Sequence, residues 1–380
     1  MSDQNNACSD YGEHKKQERR RTPVTPRRGF KMAIRKLAAT ALSGLIASFA
    51  LTPTAHATGD VWVEGSYEFL NLPNVQFINS YVFSGGGVFG DAREEFVNDD
   101  GDFDGFRIDG GIDNISIMGG AYVMGVKGFF AWHDDRSELQ CANCFAVPLF
   151  DPSPVTINIP GASIGSINLF TTERDVNHWG VALEMAQGPM GLKAGPAFRR
   201  IDQDTTITGS VINFGVAPDP YQLTYSEDLE TNYWGAFIGA DGAIDLGGGW
   251  SLQGDAEAGL YWADTDYSGS YVVTNALTVA GFIIPNQNQQ LSLDSNELAF
   301  IGTLKGALEK DFGLFKLAGF GRVEFISSAP DVAYNDLDVT TVLGPGSLIQ
   351  GPDDETRLGE RYAYTASVGA RVTVPMGSGQ

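Results

Sequence analysis

The sequence predicts an all-β fold: a transmembrane antiparallel up-and-down β-barrel of about ten strands. Three observations carry this. From Thr58 onward apolar and polar residues alternate with period two, which in a strand sends them to opposite faces. Connections alternate between tight turns and long polar loops, as they do in barrels that cross a membrane. The polar face also carries full charges of both signs in mid-strand, which a dry sandwich core would not tolerate and a wet or ion-paired lumen would.

The first element precedes the barrel. Arg27-Arg28-Gly29-Phe30-Lys31 leads into an apolar run from Leu37 to Leu51 and then Ala55-His56-Ala57. This order of basic, apolar and small residues is expected of a secretory signal cleaved after Ala57. The apolar run is shorter than the roughly 20 residues a spanning helix needs. Met32 begins a conventional signal, so Met1 and Met32 both stand as starts. The domain division expected is therefore leader and signal over 1–57 and barrel over 58–380.

Ten strands are expected, at about 60–70, 102–112, 117–132, 174–187, 190–206, 229–245, 249–264, 295–309, 312–327 and 358–374. The segment 250–263 shows the alternation most cleanly, with Trp250, Leu252, Ala256, Leu260 and Trp262 on one face and Gln253, Asp255 and Glu257 on the other. Tight turns are expected at Asp113–Ser116, Gly188-Pro189, Gly247–Gly249 and Lys310-Asp311. Long loops are expected over 70–101, 134–172, 207–227, 264–294 and 328–356. Aromatics gather toward segment ends (Trp132, Trp179, Trp250, Trp262, Tyr362, Tyr364), the places of interfacial girdles. The β-prone stretches Val155–Ile159, Ile164–Phe170 and Tyr271–Ile284 are expected to extend hairpins beyond the membrane; two of them entering the wall would make twelve strands. An even number puts both termini on the short-turn, periplasmic side.

Composition excludes other classes. The 380 residues include 47 acidic and 25 basic ones, a net charge of −22, and a nucleic-acid binder needs the opposite surplus. With 43% hydrophobic residues and three cysteines the chain is neither disordered nor a disulfide scaffold. Mean hydropathy of −0.11 without a second long apolar run excludes a helical membrane protein. Removing residues 1–57 takes ten Lys/Arg and four Asp/Glu with it, so the mature chain of 323 residues carries −28.

At the C-terminal strand, Ser367-Val368-Gly369-Ala370-Arg371-Val372-Thr373-Val374 resembles the assembly signal of Gram-negative outer-membrane β-barrel proteins. It lacks their terminal aromatic and runs on through Pro375 to Gln380. The stretch from Trp250 to Trp262 bears a weaker likeness to porin-like major outer membrane proteins of the Legionella type. The resemblance implies an outer-membrane location, contact with membrane lipid and lipopolysaccharide, and handling by the barrel-assembly machinery through the last strand.

Strand parity places Glu64, Arg107, Lys127, Glu184, Lys193, Arg199, Asp255, Glu257, Lys305, Arg322, Glu324 and Arg371 on the inward face, together with Glu68, Asp109, Glu309 and Arg361. Charged rings of this kind set selectivity in pores. Opposite charges can equally cross-link and plug a lumen, and walls of about eight strands are just filled by side chains. Asp100, Asp102 and Asp104 repeat the start of a calcium loop, which at the outer rim would let a cation bridge to lipopolysaccharide phosphates; the bidentate Glu of an EF-hand is replaced by Gly111. Cys141 and Cys144 in a long exported loop are expected to form a local disulfide. With His133 and His178 they could also make a zinc site, although no tight His spacing supports it. A rim hydrolase would draw on His133, Asp134, Asp135 and His178, but no Ser-centred or paired-carboxylate motif accompanies them, so no enzyme is expected. The functional expectation is porin-like passage of small solutes or ions; the alternative is a closed barrel serving as scaffold or adhesin through acidic loops.

Overall fold

The computed structural model describes residues 59–73, 76–77, 83–84, 88–89, 97–98, 101–117, 122–139, 155–156, 166–187, 191–212, 221–274, 277–279, 282–284, 287–333, 348–349 and 357–376. The expected leader and signal, Asp100, Cys141 and Cys144 lie outside these residues.

Ten strands close into one antiparallel barrel. They are β1 (Gly59–Asn71), β2 (Asp102–Ile117), β3 (Tyr122–Leu139), β4 (Ser166–Gln187) and β5 (Leu192–Ile212). The second half is β6 (Tyr221–Gly247), β7 (Trp250–Thr274), β8 (Gln287–Asp311), β9 (Lys316–Ala333) and β10 (Arg357–Met376). Each strand pairs with its neighbours in sequence, and β1 closes on β10 with Glu64 opposite Arg371. Closure leaves no sheet edge, so every backbone group in the wall can find a partner without water. Two- and three-residue strand pairs in the long connections, such as Leu277–Val279 with Phe282–Ile284, stay outside the barrel sheet.

Several strands outrun their expected bounds. Residues 166–170 belong to β4 and 271–274 to β7, which lengthens hairpins without adding strands to the wall. The turn expected at Asp113–Ser116 is instead strand: Asn114 adopts φ 62 at a register shift between Ile112 and Ile115, and β2 continues to Ile117. Asn tolerates this left-handed conformation better than most side chains, so the segment bulges and carries on pairing. The turn expected at Lys310-Asp311 falls at residues 312–315, where the Phe312 amide donates to the Phe315 carbonyl (3.0 Å). At Gly247–Gly249 the turn stands as expected, with φ of 85, 60 and 78 that only glycine adopts freely.

The outer surface is an apolar band. Ile238, Leu298 and Val368 are 69, 65 and 66% exposed, and Leu304, Leu308 and Val323 continue the face. An apolar surface of this extent fits lipid. Toward the long connections it ends in an aromatic belt, with Tyr67 against Phe106 (5.7 Å), Phe106 against Trp132 (5.9 Å), Trp179 against Phe198 (5.2 Å) and Phe198 against Trp234 (4.2 Å). Toward the short turns Trp250, Phe312 and Phe315 are exposed. No helix among the described residues is long and apolar enough to cross a membrane; the crossing elements are strands. The molecule thus has the architecture of an outer-membrane β-barrel. At 27 residues β6 far exceeds the roughly 9–11 a crossing strand needs, so the wall continues past the belt.

Candidate functional site

The inward face is built from charges that strand alternation sends into the lumen, where each must find a partner. On one half of the barrel, Lys127 of β3 pairs with Glu184 of β4 (3.3 Å) and with Glu257 of β7. Lys193 of β5 reaches Glu257 (2.8 Å), Glu184 (3.8 Å) and Asp255. On the other half, Glu64 of β1 accepts from Lys305 of β8 and Arg322 of β9, with Arg371 of β10 at 3.8 Å. Arg322 also holds Asp109 of β2 (2.9 Å), and Arg107 holds Asp109 (3.0 Å) and Glu68 (3.3 Å).

Two of these contacts span the lumen. Lys127 and Glu257 sit four strands apart in the ring, as do Arg199 of β5 and Glu324 of β9, which meet at 2.6 Å. Only a narrow lumen lets such side chains touch. Several cations also lie over aromatic rings, among them Arg107 over Phe129 (3.8 Å) and Arg371 over Trp62 (4.7 Å). All twelve charges expected in the lumen are therefore brought together there. Arg361 is half exposed at the loop end, paired with Asp331 (2.8 Å).

Beyond Arg107 and Glu324 the lumen changes character. Leu70, Leu72, Phe103, Val176, Ile201, Tyr233, Tyr261, Ala263, Ala299, Ile301, Ile326, Ala329 and Ala363 form one cluster, none more than 3% exposed. Tyr233 anchors it across the barrel by donating to the Ser328 carbonyl (3.0 Å). This apolar layer crosses the lumen, and the buried polar groups Arg174, Gln203, Thr205, Glu227 and Thr231 lie beyond it toward the long connections. Below it lies a cavity of about 440 Å³ lined by the charged networks and by Trp62, Phe129 and Phe237. Its lining runs from Asp60, Asp113 and Glu309 near the short turns to Arg107, Arg199, Glu324 and Tyr261 at the apolar layer. The lining thus reaches the short-turn end of the barrel and stops at the apolar layer.

The other expected residues are placed as follows. His133 and His178 are not at the rim: both are buried inside the lumen, His133 with Nε2 at 3.4 Å from Glu68 and His178 edge-on to Phe129 at 4.7 Å. Asp134, next to His133 in sequence, points out of the opposite face of the wall, because successive residues of a strand alternate sides. The His133-Asp134 pairing and the shared His133–His178 rim are thus corrected. Asp102 accepts a hydrogen bond from Asn71 (2.7 Å), and Asp104 is exposed on the outer face opposite Asp134. Among the described residues no group of three or more His, Cys, Asp and Glu could hold a metal ion.

A feature absent from the sequence reading lies just past the aromatic belt. Asp104, Asp134, Asp175, Asp204 and Asp228 stand directly opposite one another on β2 to β6. A second run, Asp202, Glu230, Asp266 and Asp294, crosses β5 to β8. Carboxylates directly opposed across strands repel.

No family model and no curated protein matches the chain. Among solved structures it is similar to the outer membrane protease OmpT of Escherichia coli, at 10% identity over 86% of this chain and 99% of that one, TM-score 0.37. It is similar to the translocator domain of the autotransporter NalP from Neisseria meningitidis at 10% identity over 92% and 98%, TM-score 0.30. A Pseudomonas aeruginosa FadL homologue follows at 10% identity over 83% and 90%, TM-score 0.25. Likeness at this level assigns no activity to this chain.

Proposed function

We propose that this protein is a closed outer-membrane barrel that carries an acidic outer extension as scaffold or adhesin and does not pass solutes through its lumen. The apolar layer around Phe103, Ile201 and Tyr233 supports this reading, since it fills the cross-section that a passage would need. With the short turns facing the periplasm, as is general for such barrels, the chamber opens inward and the acidic runs face outward. Porin-like passage through the charged lumen, the expectation from sequence, has its polar chamber but lacks an outlet through the described wall.

Reconstitution into planar bilayers tests the proposal. Protein whose gel mobility shifts on heating, and which is therefore folded, is expected to give no unitary conductance steps. A Phe103→Ala, Ile201→Ala, Tyr233→Ala variant is expected to give them. Regular steps from the unaltered protein would overturn the reading.

A further inference from the structure

The ring is closed at the level of the membrane but not throughout its extension. The pairing of β8 with β9 runs from Asp311 and Lys316 to Ile301 and Ile326 and stops there, although β8 continues to Gln287. At this fork the Phe300 amide donates to the Ser327 hydroxyl (2.8 Å) in place of a ladder partner. β9 then shifts register against β10 between Ile326 and Ala329 and turns inward. Its Ser328 carbonyl accepts from Tyr233 of β6, and Val332 is buried against Leu229 of β6 and Tyr267 of β7. β8 runs on beside β7 without a register shift as far as Gln287. Among the described residues no strand covers its other edge over 287–300.

This edge has a definite chemistry. The Phe300 amide points toward β9, so by strand alternation the amides and carbonyls of Leu298, Asn296, Asp294, Ser292 and Gln290 face the same way. An extended backbone meets such a row of donors and acceptors in register. Residues 287–300 contain none of the prolines or lysines that blunt an edge, and β8 has no bulge against β7. On the outward face the row Asp202, Glu230, Asp266 and Asp294 ends at this edge. Arg200 serves the first two, whereas among the described residues no cation pairs with Asp266 or Asp294. The inward face offers Leu291 and Leu293, half-buried against the cluster of Leu229, Tyr267 and Val332. A second copy of the edge would bring Asp294 and Glu297 and no cation to meet them.

We propose that the free edge of β8 captures an extended peptide segment of a partner protein, with Lys or Arg at every second position and apolar residues between. The segment would lie along 290–298, its cations outward beside Asp266 and Asp294 and its apolar side chains inward on Leu291 and Leu293. This deepens the adhesin reading and rests on it for the outward placement of this end; conductance tests that reading separately.

Fluorescence anisotropy on the folded full chain in detergent tests the capture, with a labelled peptide of alternating Lys and Val long enough to span 290–298. One control is the same peptide N-methylated along its backbone, which keeps the charge but cannot donate to the edge. The other is an alternating Glu-Val peptide. The parent is expected to bind at least tenfold more tightly than either. Equal binding of the methylated peptide would reduce the contact to general attraction between charges and overturn the proposal, as would no binding of the parent. Ser292→Pro removes a donor from the open edge and spares the β7 ladder, because the Ser292 amide faces away from β7. With the folded heat shift retained it is expected to lose at least tenfold in affinity, and unchanged binding would sink the idea. Should the proline variant lose the shift, Asp294→Lys decides instead. It is expected to bind the Glu-Val peptide more tightly than the parent peptide, and an unaltered preference would count against the edge.

Discussion

Glu64 shows how much a single side chain carries in this lumen. It is 1% exposed and faces Lys305, Arg322 and Arg371 from three strands. Removing its charge takes from Lys305 the carboxylate it pairs with, while Arg322 keeps Asp109 and Arg371 keeps Asp113. Breaking a buried pair costs about 3–5 kcal/mol, so Glu64→Gln is expected to lower the urea midpoint of unfolding strongly. Replacing Glu64 and Lys305 together with apolar residues should cost less. Equal losses from the single and double variants would contradict the network. Gly105 is a second such position, lying between Glu68 and His133 in the register. A Cβ there would fall 2.2 Å from the Trp132 carbonyl and 2.3 Å from His133 Cδ2. Gly105→Ala is therefore expected to destabilise by about 1–3 kcal/mol, the usual penalty of overpacking, read from the same unfolding curve.

At the scale of elements, the directly opposed carboxylates on β2 to β6 oppose the extension of the wall beyond the aromatic belt, whereas Arg200 bridges Asp202 and Glu230 in the second run. Asp134 and Asp204 hold their protons more tightly than ordinary carboxylates, first through partial burial and then through neighbouring acids, Asp135 for the one and Asp228 and Asp202 for the other. A carboxyl with a raised value in the folded state subtracts stability while ionised, and that subtraction disappears as pH falls through the folded value. These two carboxyls are accordingly expected to add stability as pH falls through their folded values, a contribution read as the difference between the unaltered protein and the double variant. Asp134→Asn, Asp204→Asn should stabilise at pH 7, by a margin that shrinks as pH falls; a double variant with an unchanged pH dependence would remove these residues from the explanation. Strand existence was legible because period two persists from Asp60 to Val374. Strand ends were not, because Asp, Ser and Thr beyond the belt alternate no less than they do in loops. What holds 264–274 in β7 is pairing with β6 and β8, a long-range fact.

For the whole molecule, the decisive property is that an apolar layer interrupts a lumen otherwise lined by polar and charged side chains. The sequence does contain a sign of it. Near the belt, alternation lapses into apolar residues on both faces, as in Phe69-Leu70, Leu298-Ala299-Phe300-Ile301, Phe325-Ile326 and Tyr362-Ala363-Tyr364. Read on one strand, each is a local irregularity. Around a closed ring they fall at one level and meet. If the layer is what closes the barrel, vesicles carrying the Phe103→Ala, Ile201→Ala, Tyr233→Ala variant should leak a small dye that vesicles with the unaltered protein retain.

Which residues face inward was settled by the sequence alone, since parity along a strand is a local geometric rule and all twelve expected lumen charges obey it. The apolar outside, the tight glycine turn at 247–249 and the even strand count followed from the same local reading. Whether those inward charges line a passage or lock it was decided only by the tertiary structure. Lys127 meets Glu257, and Arg199 meets Glu324, because closure brings strands four places apart in the ring within reach across the lumen. Barrel radius and strand stagger set that reach, and both are properties of the closed ring that no single strand encodes.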